Sequence, residues 1–148
     1  MVVDSSTLIS FARAGLLGFL ARLPLPLVVL DVVWEEVVIA GRTGQHADAI
    51  AIEAAFGERP RERAPARGNV DDAVLGAAVS DGVLACNDLT LGRRARNLGV
   101  RWLRTADLIV LAARSGASSH GEAAAGIEAL AHAGRITENL RDEYLEVL

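Results

Sequence analysis

Short apolar runs that end on a carboxylate or amide residue and then give way to helical spacing set the architecture of this chain. Val2-Val3 runs into Asp4-Ser5-Ser6, Leu27–Leu30 into Asp31 and Val83–Cys86 into Asn87-Asp88, while Val100–Leu103 is the last such run. A brief apolar run without polar alternation is what a parallel strand covered on both faces looks like. Asp, Asn and Ser then accept hydrogen bonds from the first free N–H groups of a helix. Helical spacing predicts a helix from Ser6 that breaks at Gly15, another behind Asp31, and further ones over Gln45–Phe56 and Val70–Ser80, the latter capped by Asn69 and ended by Gly82. Others follow over Leu89–Leu98, stopped by Gly99, and over Thr105–Arg114, Ala123–Ala133 and Thr137–Leu148. This alternation predicts an α/β fold with a central parallel sheet and helices on both faces.

A chain of 148 residues, 51% hydrophobic and 23% charged, has material for one core and is not disordered throughout. The single Cys86 fits a reducing compartment. No apolar run approaches the roughly 20 residues that span a bilayer, and Met1-Val2-Val3-Asp4 is no cationic leader, so the expectation is a cytoplasmic protein with no membrane partner. The net charge of −4 argues against a generic phosphate-binding surface, and all fifteen basic residues are Arg. Arg93, Arg94 and Arg96 share the Leu89–Leu98 helix and are candidates for holding a nucleic-acid backbone. Arg59, Arg61, Arg63 and Arg67 stud a Gly57–Gly68 segment that reads as a loop. His46, His120 and His132 are scattered without metal-ligand spacing and read as surface residues.

In open parallel sheets ligands bind beyond the carboxyl ends of the strands. The residues expected there are acidic: Asp4, Glu36, Asp71, Asp72 and Asp88. Singly, each has an ordinary role as a cap, a partner of a helix dipole or a solvated charge. Converging carboxylates, however, repel by about 4 kcal/mol per pair at a separation of about 4 Å and an effective dielectric near 20, so a cluster calls for protons or a cation. Oxygen-only ligation suits Mg²⁺ or Mn²⁺. Such ions turn a water into a nucleophile and stabilise the leaving oxygen of a phosphodiester. A phosphohydrolase with Asp4 as nucleophile is a competing reading, but that chemistry usually needs a Lys, and the chain has none.

Val2-Val3-Asp4-Ser5-Ser6-Thr7-Leu8-Ile9, Val33-Trp34-Glu35-Glu36-Val37, Val70-Asp71-Asp72-Ala73-Val74-Leu75 and Leu84-Ala85-Cys86-Asn87-Asp88 together resemble the PIN-domain family of metal-dependent nucleases, in the family's order. Leu91–Val100 resembles its Arg-rich helix and last strand, so the likeness covers roughly residues 1–115. The tail, with Gly134-Arg135-Ile136-Thr137, resembles a PIN-related bacterial subfamily of nucleic-acid-binding proteins and reads as a helical extension, 116–148, on the same domain. The resemblance implies a three-layer fold with a parallel sheet of about four to five strands. It also implies a Mg²⁺- or Mn²⁺-dependent ribonuclease, in many bacterial members the VapC-type toxin of a toxin–antitoxin pair. Partners would then be an RNA substrate, a small antitoxin and a second copy in a homodimer. By the same resemblance Asp4, Glu36, either Asp71 or Asp72, and Asp88 are the metal-binding and catalytic acids, with Ser6 and Asn87 supporting them. Cys86 stands where the family usually has Thr or Ser, which would loosen a supporting hydrogen bond. A PIN-like protein that binds RNA or a regulator without cutting it is the alternative.

Overall fold

The computed structural model describes residues 1–64 and 68–148, so Arg67 of the loop cluster lies outside the described residues. Strands β1 (Val2–Val3), β2 (Val83–Ala85) and β3 (Arg101–Leu103) form a parallel sheet in that order. Val2 stands opposite Leu84, and Leu84 opposite Trp102. The Leu27–Leu30 run lies along the outer edge of β1, where Val3 N donates to Val28 O at 3.0 Å and Val28 N to Met1 O at 2.9 Å. It makes only isolated bridges, Val28 to Val2 and Leu30 to Glu62. Pro24 and Pro26 lie just before it, and helix begins at Asp31, so no room remains for a regular strand. Of the four expected runs, three are therefore strands and the fourth is a bridged edge.

Helices flank this sheet: α1 (Ser5–Arg13), α2 (Leu17–Arg22), α3 (Asp31–Trp34), a π-helical stretch (Glu35–Ile39) running into α4 (Ala40–Thr43), α5 (Ala47–Phe56), α6 (Val70–Asp81), α7 (Leu89–Asn97), α8 (Thr105–Arg114), α9 (His120–His132) and α10 (Glu138–Val147). Asn69 and Asp88 cap as the sequence predicts, accepting from Asp72 N at 2.8 Å and Leu91 N at 2.7 Å. Gly82 and Gly99 take the left-handed conformation that ends a helix. Asp31 differs from expectation. It is the first helical residue rather than the cap, and its Oδ1 accepts from Val32 N at 2.8 Å and from Ala64 N at 2.9 Å. Those bonds, the Glu62 bridge and Arg61 stacked 4.0 Å over Trp34 pin residues 57–64 to the sheet edge, where the sequence reads as a free loop.

Val3, Leu84, Ala85 and Cys86 are wholly buried at the centre of the core. Most apolar residues of α2 and α8 find cover within the chain. Leu17, Phe19, Leu20, Leu108, Ile109 and Val110 are buried. At Gly126 of α9 an added Cβ would lie 3.2 Å from Ile109 Cδ1, so α9 is seated directly over them. Among the described residues no helix is long and apolar enough to cross a membrane.

Candidate active site

Because all three strands are parallel, the residues that follow them gather at one edge. Asp4 follows β1 and caps α1, and it is only 5% exposed. Its Oδ2 accepts from Ser6 N at 3.1 Å and from Ser6 Oγ at 2.6 Å. Ser6 Oγ in turn accepts from Asn87 N at 2.9 Å. An amide can only donate, so the one serine proton must go to Asp4, whose oxygen is held as an acceptor. Burial pushes the Asp4 carboxyl above the usual carboxylate range; the Ser6 and Ser5 hydrogen bonds pull it back, and the charge of Asp71 pushes it up again.

The remaining acids stand on separate elements. Glu36 sits in the π-helical stretch, and its Oε2 accepts a hydrogen bond from Ser5 Oγ, next in sequence to Asp4. One-turn π-bulges are frequent at functional sites, and here the altered winding lies where Glu36 meets the start of α1. Asp71 and Asp72 open α6, both exposed, and the fold separates their roles. Asp71 acts on Asp4 through its charge, whereas Asp72 Oδ1 takes Arg94 Nη2 at 2.6 Å. Asp88 is exposed and caps α7. Among the described residues no three His, Cys, Asp or Glu side chains stand close enough together to hold a metal ion.

Cys86 Sγ donates to Asp88 O at 3.3 Å, a weak thiol bond at the position where the family usually has a hydroxyl. Burial and the charge of Asp4 push its thiol up to about 12. Arg93 and Arg96 are exposed on α7 as expected, while Arg94 is occupied by Asp72.

Sequence reasoning missed the layer behind Ser6 and Asn87. Asn87 Nδ2 donates to Ser10 Oγ at 2.9 Å and to Thr105 Oγ1 at 2.5 Å, and Asn87 Oδ1 accepts from Thr105 N at 3.0 Å. Ser10 Oγ donates to Ser6 O at 2.7 Å and accepts from Arg135 Nε at 3.2 Å. Ser10, one helical turn beyond Ser6 amid apolar residues, was the available signal.

A family model described as a PIN domain (DUF3368) matches residues 1–148. The chain belongs to the PIN-domain family. Searches of curated proteins and of solved structures gave no match. PIN domains are generally nucleases that use divalent metal ions, and nuclease-like chemistry is the function that membership carries. The family match runs through α9 and α10, so the C-terminal helices fall within it. The donors at this PIN-domain edge fit such an ion in kind. They are carboxylate oxygens, and one of them, Asp4, is buried and thereby disfavoured as an anion.

Proposed function

We propose that this protein is a Mg²⁺- or Mn²⁺-dependent ribonuclease acting in the cytoplasm. The observation that carries the reading is Asp4, a buried carboxylate at the end of β1 that Ser6 fixes as an acceptor. One such acid with an exposed second carboxylate, water and substrate oxygens is a setting in which Mg²⁺ binds, since it usually takes one or two protein carboxylates and keeps several waters. Asp4 and Asp71 are the first ligands in this reading, with Asp88 and Glu36 beside them. The ion, when bound, would lower the pKa of a water and offset charge on the leaving oxygen. The chain's own part is to orient. Ser6 and Asn87 hold Asp4 in one rotamer, Ser5 holds Glu36, and Asp88 stays fixed by its cap.

The alternative, an RNA- or regulator-binding protein that does not cut, is favoured by the pairing of Asp72 with Arg94 and by the open spacing of the acids. Cleavage of mixed single-stranded RNA with Mg²⁺, Mn²⁺ or chelator separates the two. Metal-dependent cutting that Asp4→Asn abolishes supports the nuclease; binding without cutting supports the alternative. A toxin role, restraint by a small antitoxin that places a basic side chain among the acids, and homodimer formation extend the nuclease reading. Slowed growth on expression, relieved by Asp4→Asn, tests the first. Metal-sensitive capture of a co-expressed small protein tests the second, and sedimentation the third.

A further inference from the structure

The turn between α9 and α10 brings a cation to the hydrogen-bond network behind Asp4. Gly134, at φ 66°, ends α9, and Arg135 N donates to Leu130 O at 2.8 Å. This turn presents Arg135 to α1, where its Nε donates to the buried Ser10 Oγ at 3.2 Å. Ser10 is joined through Asn87 and Ser6 to Asp4, so Arg135 stands at the back of the same network. Arg135 is half-buried and takes part in none of the ion pairs among the described residues. A guanidinium carries five donors, and that hydrogen bond uses one of them.

A cation drawn partly out of water without a carboxylate is costly unless an anion meets it. The network it joins ends at an acidic edge. Asp4, Glu36, Asp71 and Asp88 repel a phosphodiester; on α7 Arg94 is spent on Asp72, and Arg93 and Arg96 are exposed to solvent rather than tied to the network behind Asp4. Arg96 lies eight residues beyond Asp88, about 12 Å along α7. We propose that Arg135 holds a backbone phosphate of the single-stranded nucleic acid beside the acidic site. The turn between the two C-terminal helices is thereby part of the substrate-binding wall. Ser10 fixes Nε, and the outer nitrogens of the planar fork meet two phosphate oxygens. The inference rests on the nuclease reading for the nature of the strand.

Binding of a fluorescent single-stranded RNA, followed by anisotropy over a salt series in an Asp4→Asn background so that no strand is cut, tests it. Arg135→Gln should weaken binding about tenfold and reduce the log–log salt slope by about 0.7, the release of one counterion from a single strand. Ser10→Ala, which frees the guanidinium without removing it, should keep the slope. That contrast separates a phosphate contact from a purely structural role. Unchanged affinity and slope in Arg135→Gln overturn the inference. If that variant loses its melting transition, Arg135→Lys carries the test: severalfold weaker binding at an unchanged slope supports the fork, and unchanged affinity overturns it. RNA cut by the parent but bound alike by both sets of proteins removes this inference alone. RNA bound through Arg135 and never cut removes the nuclease reading alone.

Discussion

Gly92→Ala should disturb the fold at the contact between α7 and β3. A Cβ at Gly92 would lie 2.1 Å from Trp102 Cε2 and 2.4 Å from Cδ2, against an ordinary carbon–carbon separation of about 3.5–4.0 Å. The indole must therefore retreat by about 1.5 Å, a shift its own hydrogen bond resists, since Trp102 Nε1 donates to Cys86 O at 2.8 Å. Overpacking costs about 1–3 kcal/mol and the lost hydrogen bond about 1 kcal/mol, while replacing Gly in a helix returns about 1 kcal/mol. The net loss is about 2 kcal/mol, which for a chain of this size lowers the melting temperature by roughly 4–8 °C. Thermal unfolding followed by circular dichroism reads this directly. Gly121→Ala is the control, because a Cβ there meets nothing within 4 Å and should stabilise α9. In a Trp102→Leu background Gly92→Ala should become neutral or stabilising. A melting point at or above the parent's, or an equal cost with and without the indole, refutes the argument.

Three further outcomes follow from the site. Cys86, pushed up to about 12 by burial and by the Asp4 charge, should resist alkylation at mildly alkaline pH until denaturant is added, and fast labelling of the native protein would contradict its placement. Asn87→Ala takes the recorded side-chain partner from both Thr105 N and Thr105 Oγ1, while Ser10 keeps Ser6 O and Arg135, and should cost about 2–4 kcal/mol in denaturant unfolding; a loss under about 1 kcal/mol would mean the network carries little. Asp4 has its folded-state carboxyl raised above the unfolded value, so its contribution is fully present below the unfolded pKa and is lost as pH rises through the folded one. The melting temperature of Asp4→Asn relative to the parent should therefore climb between acid and neutral pH, and a difference that is flat or falls with pH would show that Asp4 is not buried as an anion.

How much of this protein the sequence determined follows from the range of the forces involved. Capping and helix termination act within about four residues, and so Asn69, Asp88, Gly82 and Gly99 could be read one by one. Apolar runs report burial on both faces, which made the parallel sheet legible and, with it, the edge where Asp4, Asn87 and Asp88 gather. The same local rules left Asp71 and Asp72 equivalent. Only the seating of α6 beside α7 gives Asp72 to Arg94 and leaves Asp71 to act on Asp4. They made Leu27–Leu30 a strand, whereas its proximity to Pro26 and to the start of α3 left it a bridged edge. They gave no sign that Asp31 would tie down Ala64, or that Ser10, Asn87, Thr105 and Arg135 would meet from four separate parts of the chain. Those bonds span more than thirty residues, except the two between Asn87 and Thr105, eighteen residues apart across β3. A hydrogen bond between distant residues depends on which helices pack side by side, and that is decided by the whole core rather than by any stretch of sequence.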